Sequence, residues 1–524
     1  MSLFIGFDSS TQSLSVVVIE VTDARRSVVF ECSLPFDETL PQYGTRHGVL
    51  PNTDPTIALS PPQMWAEALD LMMARLASSG LDVREIAAMS GSAQQHGSVY
   101  LTNPDARLAT IDPGRPLAPQ IGDMLARDVS PIWMDSSTST ECAEIEHAVG
   151  GAASLARTTG SRAFERFTAA QIRRLFKSDP DTYARTTRID LVSSFLCSLL
   201  VGQTAPIDPG DASGMNLMDL PSSRWWPAAM TATAPDLARR LPPIAPAWTS
   251  AGTLSPYWQQ RYGLPPARMI VWSGDNPSSM IGTGLVSEGR IAISLGTSDT
   301  IFGAMREPRV DATGTGHVFG SPTGEFMGLT CFKNGSLARE RVRDAYGLTW
   351  ATFSDALAQT PAGNGGRLML PWFEPEITPT VLSAGVRRHE LREDDVAGNV
   401  RAVVEGQAFA MARHSAWMGV EIREIVATGG ASVNAPILQI IADMFGADVY
   451  RSSVSHSAAL GAALRAFHGH TRASGEPLSW EDVVSGLADP IQTSRIQPNR
   501  DHHAVYRASM PEYASFEAQG LVAM

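Results

Sequence analysis

Apolar and polar positions along the chain open with two short strand-like runs, Leu3-Phe4-Ile5-Gly6-Phe7 and Val16-Val17-Val18-Ile19, around the small polar stretch Asp8-Ser9-Ser10-Thr11-Gln12-Ser13. The pattern predicts a β-hairpin whose tip gathers hydroxyls, an amide and backbone N–H groups around one carboxylate. Taken alone, such a tip is a solvated turn. The design returns, however, at Ile291-Ala292-Ile293-Ser294-Leu295, Gly296-Thr297-Ser298-Asp299 and Thr300-Ile301-Phe302. Two such hairpins at corresponding places suggest an internal duplication with a nucleotide between the halves. Gly296 permits close backbone approach to a phosphate, and Thr297 and Ser298 add hydroxyl donors.

Between the hairpins, residues 62–79 place Met64, Trp65, Leu69, Met72, Met73 and Leu76 near a helical period, with Gly80 as the stop. These large side chains are core. Residues 86–89 read as a buried strand that runs into Ser90-Gly91-Ser92-Ala93-Gln94-Gln95-His96-Gly97. A lone histidine is ordinarily structural, but the density of polar groups around His96 favours a hydroxyl ligand at a pocket rim. Trp133-Met134-Asp135-Ser136-Ser137-Thr138 suits an N-cap before a helix over residues 141–147. Further on, Arg162 and Arg166 stand beside Phe164 and Phe167, either lining a pocket or pairing with Glu165. The following Thr168-Ala169-Ala170-Gln171 has the form of a capping box. Residues 207–218, with Asp208 and Asp211, form a polar loop directed at the same pocket, and residues 221–255 read as a surface excursion.

The most pointed stretch is Trp272-Ser273-Gly274-Asp275-Asn276-Pro277, which follows the apolar Met269-Ile270-Val271. A buried strand followed by a turn delivers a carboxylate and an amide side by side. Asp275 can accept a proton while Asn276 holds a polyol. In the second half, a helix carrying Arg339, Glu340, Arg341 and Arg343 reads as a solvated face. Pattern does not decide whether Trp350 is packed or exposed, and Gly363-Asn364-Gly365-Gly366 reads as a flexible loop. A long helix is expected over residues 400–419. Strand 425–427 leads into Thr428-Gly429-Gly430-Ala431-Ser432, then Asn434 as N-cap, Pro436 in the first turn, and a stripe of Ile437, Leu438, Ile441, Met444 and Phe445 closed by Gly446. Strand, Gly-Gly turn and helix bring backbone against a nucleotide, although neither a dinucleotide fingerprint nor a Walker A motif is present. Residues 457–464 form a helix of small side chains that can pack closely.

Composition narrows the picture. A chain of 524 residues exceeds one hydrophobic core, and the expected domains are residues 1–284 and 285–524. A net charge of -13 argues against nucleic-acid or anionic-membrane partners, since no basic surplus exists to neutralise phosphates. The 4 scattered cysteines have no metal-ligand spacing and fit free thiols in a reducing cytosol. No signal peptide is visible, and the longest apolar stretch, residues 191–201, is too short to span a bilayer. A cytoplasmic protein is expected.

The segments GFDSSTQS, SGSAQQHGS, WMDSSTST, GSRAFERFT, LVSSF, GDNPSS, SLGTSDT, CFKNGSL, ATGGAS and AALGAALRAFHG occur in one order over nearly the whole chain. In that order the chain resembles the FGGY family of carbohydrate kinases, within the actin-like ATPase superfamily, and most closely its eukaryotic D-xylulose-phosphorylating branch. The resemblance implies an α/β fold: two ribonuclease-H-like domains with mixed sheets flanked by helices, separated by a deep cleft. It implies ATP and Mg²⁺, a small sugar as the other partner, and a homodimer as a common state. Asp8 matches the aspartate that helps hold Mg²⁺ with ATP, and Asp275 matches the catalytic base, which also stands near the metal. Asn276, His96 and Arg166 match sugar ligands. Thr11, Gln12, Gly296 and Thr297 match phosphate ligands. Gly429, Gly430 and Asn434 match the adenosine motif, and Trp350 matches an adenine-contacting tryptophan. His456 departs from the acidic residue that many bacterial members carry there, which bears on nucleotide-site detail. Kinases of ribulose or a pentitol stay open as alternatives. A non-catalytic ATP-binding sugar sensor also stays open, though such a protein has no need of the base.

Overall fold

The apolar runs become the strands of two mixed sheets, one in each of two units, in a computed structural model that describes residues 1–522. The first unit takes Met1–Val286, Val318–Phe326 and Val454–Ala488, and the second takes Ser287–His317, Met327–Ser453 and the chain from Asp489 on.

In the first unit the strands of the large sheet are β1 (Ser2–Ser9), β2 (Ser13–Val21), β3 (Arg26–Pro35), β4 (Ile86–Ala93), β5 (Ser250–Thr253), β6 (Arg268–Ile270) and β7 (Ser273–Gly274). They lie in the order β5-β6-β4-β1-β2-β3, with β7 paired to the end of β4. The predicted hairpin is β1 and β2, which put Asp8 opposite Ser15. β1 is also parallel to β4, with Asp8 opposite Ser92, and β7 is parallel to β4, with Gly274 opposite Ala93. Three parallel strands therefore end together, and the residues that follow them, Gln94 to His96 and Asp275, emerge at one edge of the sheet. That is where open α/β sheets place ligands.

The second sheet repeats the arrangement. Its strands include β8 (Arg290–Leu295), β9 (Asp299–Met305), β10 (Phe326–Phe332), β11 (Glu424–Thr428), β12 (Asp448–Arg451) and β13 (Ile491–Ile496), which lie in the order β10-β9-β8-β11-β12-β13. β8 is antiparallel to β9, with Leu295 opposite Asp299, and parallel to β11, with Ser294 opposite Thr428. Hairpin plus parallel neighbour, as in β2-β1-β4, is the duplication that the two polar turns announced.

Side chains alternate across β1, so Leu3, Ile5 and Phe7 enter one core and Phe4 another. The first core takes helix Pro62–Ala77, which buries Met64, Trp65, Leu69, Met72, Met73 and Leu76 as its period predicts. The second takes helix Ser457–Ala473, where Ala459, Ala463, Leu464 and Phe467 pack on Phe4, Val17 and Ile19. Small residues are obligatory here. A Cβ on Gly6 would lie 2.0 Å from the Ala459 carbonyl oxygen, and one on Gly461 would lie 1.8 Å from that of Ser278.

Several local expectations are overturned by long-range partners. Helix Ser139–Ala148 is preceded by Thr138 without a side-chain cap. Asp135 is instead buried, accepting from Ala58 N–H at 3.1 Å and Gln171 Nε2–H at 2.8 Å. The capping box at Thr168 does not form either: Thr168 donates to the His96 carbonyl at 3.0 Å, and Gln171 is engaged with Asp135. Asn364, in the glycine-rich loop, is fully buried and donates to the Gly398 carbonyl at 2.9 Å, so that loop is anchored. Within residues 221–255, helix Pro227–Thr233 buries Ala229 and Thr233 and is packed rather than a pure surface excursion. Among the described residues no helix is long and apolar enough to cross a membrane.

Gly461→Val forces the two helices apart and is expected to destabilise the protein by about 3 kcal/mol or more. A urea midpoint unchanged from the parent would contradict this packing.

Candidate active site

Asp8 and Asp275 lie at the ends of β1 and of the turn after β7. Asp8 is half-buried and accepts a hydrogen bond from Ser92 Oγ at 2.7 Å. Burial raises its carboxyl to about 7, the Asp275 charge adds to the rise, and Ser92 opposes it. Asp275 begins helix Asp275–Gly282. Burial raises its carboxyl to about 6, while backbone N–H donors, including that of Asn276 at 2.8 Å, hold it back. Two like charges in one poorly solvated place exchange protons as a pair. Their environment suits a base or a hard cation.

A set of uncharged polar groups surrounds them. Asn276 Nδ2–H donates to Gln95 Oε1 at 2.9 Å, and Gln95 Nε2–H donates to the Gly210 carbonyl at 3.3 Å. A Cβ on Gly274 would lie 2.4 Å from Gln95 Cγ, so this glycine leaves room for the amide. His96 Nδ1 is 2.7 Å from the Gly214 carbonyl, which accepts and therefore fixes the proton on Nδ1, leaving Nε2 as an acceptor. Burial and the Arg166 guanidinium lower His96 to about 3, so the ring is neutral. Phe167 stacks on it at 4.4 Å, and Arg166 lies over the Phe164 ring at 4.9 Å. Arg162 shares that ring at 5.0 Å. At the first hairpin tip, Thr11 accepts from Trp133 Nε1–H at 2.8 Å and Gln12 is exposed.

The loop carrying Asp208 and Asp211 reaches this region, as its polarity suggested. Asp211 is buried, and burial, then the Asp208 and Asp275 charges, push its carboxyl well above the usual range, while Ser193 donates to it.

In the second unit a cavity of about 830 Å³ is lined by Leu295, Gly296, Thr297, Ser336, Arg339, Trp350, Gly430 and Asn434, among others. The turn after β11 contributes Gly430 and Ala431 to its lining. Gly429 has φ +81, and a Cβ there would lie 2.7 Å from the Leu295 carbonyl oxygen, so only glycine fits. Asn434 caps helix Ala435–Phe445 by accepting from Ile437 N–H at 3.1 Å, and its Nδ2 donates to Ser354 Oγ at 2.7 Å. Trp350 is 41% exposed, with Arg343 over its ring at 4.5 Å. The exposed indole face and the glycine backbone suit a flat heterocycle, and the Gly296-Thr297 turn suits phosphates.

Residues 126–282 match the N-terminal domain of the FGGY family of carbohydrate kinases, and residues 291–470 match its C-terminal domain. This chain belongs to the FGGY family of carbohydrate kinases. A protein called xylulose kinase from Mus musculus is 42% identical over 98% of this chain and 93% of its own. The solved xylulose kinase of Rhodospirillum rubrum superposes with a TM-score of 0.82 at 19% identity, covering 99% of this chain and 98% of that one. The solved gluconate kinase of Lactobacillus acidophilus reaches the same TM-score, 0.82, at 19% identity, with the same coverage of 99% and 98%. At such identities the likeness shows the fold and does not choose among sugars.

Within this FGGY chain, the first unit brings together Asp8, Asp275, Asn276 and the His96 strand end. The second groups Gly296, Thr297, Trp350, Gly430 and Asn434 around one cavity, with Gly429 in its turn. Sequence reasoning missed Arg339, which is not on a solvated face but 1% exposed and paired with Asp299. It also passed over Arg465, 1% exposed, which donates to the Gly91 and Val271 carbonyls at 3.0 Å and 2.6 Å. An arginine directly after the run of small residues 457–464 was the available signal. The donor set would suit Mg²⁺, since the Asp8 and Asp275 carboxylates offer hard oxygens and one or two carboxylates suffice where phosphates supply the rest. Among the described residues no three His, Cys, Asp or Glu side chains form a metal-binding group of their own.

The raised carboxyl of Asp275 gives a sign for stability. Its proton is held more tightly in the folded than in the unfolded chain, so this contribution is full below about pH 4 and lost as pH rises through about 6. In metal-free protein, Asp275→Asn is expected to be stabilising by about 2 kcal/mol at pH 8, with the difference fading toward pH 4. Thermal denaturation against pH reads this, and a pH-independent difference would contradict it.

Proposed function

We propose that this carbohydrate kinase transfers the γ-phosphoryl group of ATP to the 5-hydroxyl of D-xylulose, with Asp275 as general base. The observation that carries this reading is Asp275 itself: a half-buried carboxylate raised to about 6, at the meeting of parallel strand ends, beside a second carboxylate and neutral polyol-binding groups. The choice of sugar is supported by the 42% identity with the mouse xylulose kinase over nearly the whole chain. Free cysteines and the absence of a membrane-length apolar helix among the described residues are consistent with a cytoplasmic enzyme. Family habit favours a homodimer.

Phosphoryl transfer asks a protein for alignment, charge neutralisation and a base, and little covalent chemistry. Asn276 and Arg166 hold sugar hydroxyls as donors, and His96 Nε2 receives one as an acceptor. Asp275 takes the proton of the attacking hydroxyl as the new P–O bond forms and the bond to ADP breaks. Asp8, joined by Asp275, would hold Mg²⁺, and Thr11 and Gln12 donate to phosphate. Bound Mg²⁺ would neutralise charge on the phosphates. Gly296 and Thr297 accommodate phosphate, Gly429, Gly430 and Asn434 receive the adenosine, and Trp350 stacks on adenine.

Coupled ADP release with Mg²⁺-ATP across D-xylulose, L-xylulose, D-ribulose, L-ribulose, xylitol and glycerol tests the substrate and the base together. Turnover is expected on D-xylulose, with Asp275→Ala lowering kcat at least about 1,000-fold. Preference for another polyol would replace the sugar and keep the mechanism. Sugar-independent ADP release, or activity surviving in Asp275→Ala, would overturn the base and favour a sensor or ATPase. Trp350→Ala is expected to raise KM for ATP about 10-fold with kcat nearly unchanged, because stacking on adenine acts equally before and during transfer. An unchanged KM would remove Trp350 from the nucleotide site.

A further inference from the structure

Beside the turn between β8 and β9 lies a buried polar network that no assigned role uses. Asp299 closes the Gly296-Thr297-Ser298 turn opposite Leu295 and is 1% exposed. Arg339 Nη1 donates to Asp299 Oδ2 at 2.8 Å and Nη2 donates to Oδ1 at 3.1 Å, a two-point fork with fixed geometry. The same Nη1 donates to Gln407 Oε1 at 2.9 Å. Gln407 Nε2 in turn donates to the carbonyls of Asn334 at 2.6 Å and Gly335 at 2.8 Å. Gly335 abuts the turn, since a Cβ there would lie 2.7 Å from the Thr297 carbonyl oxygen and 2.8 Å from Asp299 Oδ1. Ser336 N–H completes the circuit by donating to the Gly296 carbonyl at 2.8 Å. One guanidinium thus ties the end of the turn to the segment packed against it.

Stability alone is a poor account of such a pair, because a buried ion pair adds little over well-packed apolar side chains of the same volume. What the fork supplies is orientation. A three-residue turn of glycine and small hydroxyl residues has many conformations, and a phosphate would have to select one of them. Arg339 lines the cavity together with Gly296, Thr297 and Ser336, so the network adjoins the surface on which phosphates are read.

We propose that Arg339 is a positioning residue for the nucleotide's phosphates: its fork on Asp299 holds the Gly296-Thr297-Ser298 turn in the conformation that binds them. The inference rests on the reading of this cavity as the ATP site. It separates the phosphate end of that site, which depends on Arg339, from the adenosine end, which does not.

Calorimetric titration with ADP and with adenosine tests the separation. Arg339→Lys keeps the charge and loses the planar fork, so ADP affinity is expected to fall about 10-fold or more while adenosine affinity stays within about 2-fold. KM for ATP should rise in step with the ADP loss, with KM for the sugar unchanged. The double variant D299N/R339Q removes both buried charges together and avoids a stranded carboxylate. It is expected to show the same selective loss and serves if Arg339→Lys does not fold. Undiminished ADP affinity, or equal losses for ADP and adenosine, would overturn the proposal. Wild-type protein that binds neither ligand would overturn the nucleotide reading itself, a result visible before any variant is made.

Discussion

Everything around Asp8 and Asp275 depends on two helices that touch backbone to backbone. A Cβ on Gly282 would lie 1.9 Å from the Ser457 carbonyl oxygen, and one on Gly461 would lie 1.8 Å from that of Ser278. The glycines let helix Asp275–Gly282, which begins with the proposed base, sit directly on helix Ser457–Ala473, which in turn rests on Gly6 of β1. That contact sets where the helix carrying Asp275 lies relative to the strand carrying Asp8. The supporting helix also carries Arg465, whose guanidinium bonds the carbonyls of Gly91 and Val271 and lies 3.4 Å from Ser278 Oγ. One element therefore braces β4, the strand end before Asp275, and the helix after it. Interiors packed at crystal density pass a displacement at such a contact on to whatever it supports.

The duplicated hairpins show one backbone design put to two electrostatic uses. In the first, Asp8 stands near another carboxylate, and burial raises the proton affinity of both, with the Asp275 charge adding to the rise at Asp8. A site in that condition is ready for a cation. In the second, Asp299 is enclosed and its charge is matched by the fork of Arg339. Its turn can present backbone and hydroxyl groups to an anion without a free carboxylate to repel it. Similar folds diverge here through the position of one acid and the presence of one guanidinium.

Much of this was legible along the chain. Short apolar runs around small polar turns located both hairpins, the helical stripe of Met64 to Leu76 identified a core helix, and Asn434, Pro436 and Gly446 marked a helix at both ends. Each of those signals is local. What escaped was decided by partners far away in sequence. Thr168 and Gln171 have the spacing of a capping box, yet His96 and Asp135 claim their side chains. Arg339 sits among charges that pattern assigns to solvent, and only the fold brings Asp299 and Gln407 to it. Helix Ser457–Ala473 announces its close packing through small residues but not its destination, and it completes the unit in which the chain began.

The first unit also resolves a chemical ambiguity, since two basic groups stand near the reacting hydroxyl in the proposed reaction. His96 is neutral and offers Nε2, the form in which imidazole often serves as a base. Burial and the neighbouring Arg166 charge hold its affinity for a proton at about 3, whereas the Asp275 carboxyl stands at about 6. A proton released between them goes to the carboxylate. His96 can then read a hydroxyl as an acceptor at any working pH without competing for its proton. The Gly214 carbonyl keeps the ring in that tautomer, and a Cβ on Gly214 would crowd the imidazole at 2.9 Å. In the proposed reaction recognition and proton transfer then fall to different side chains, because burial lowers the proton affinity of the imidazole and raises that of the carboxylate.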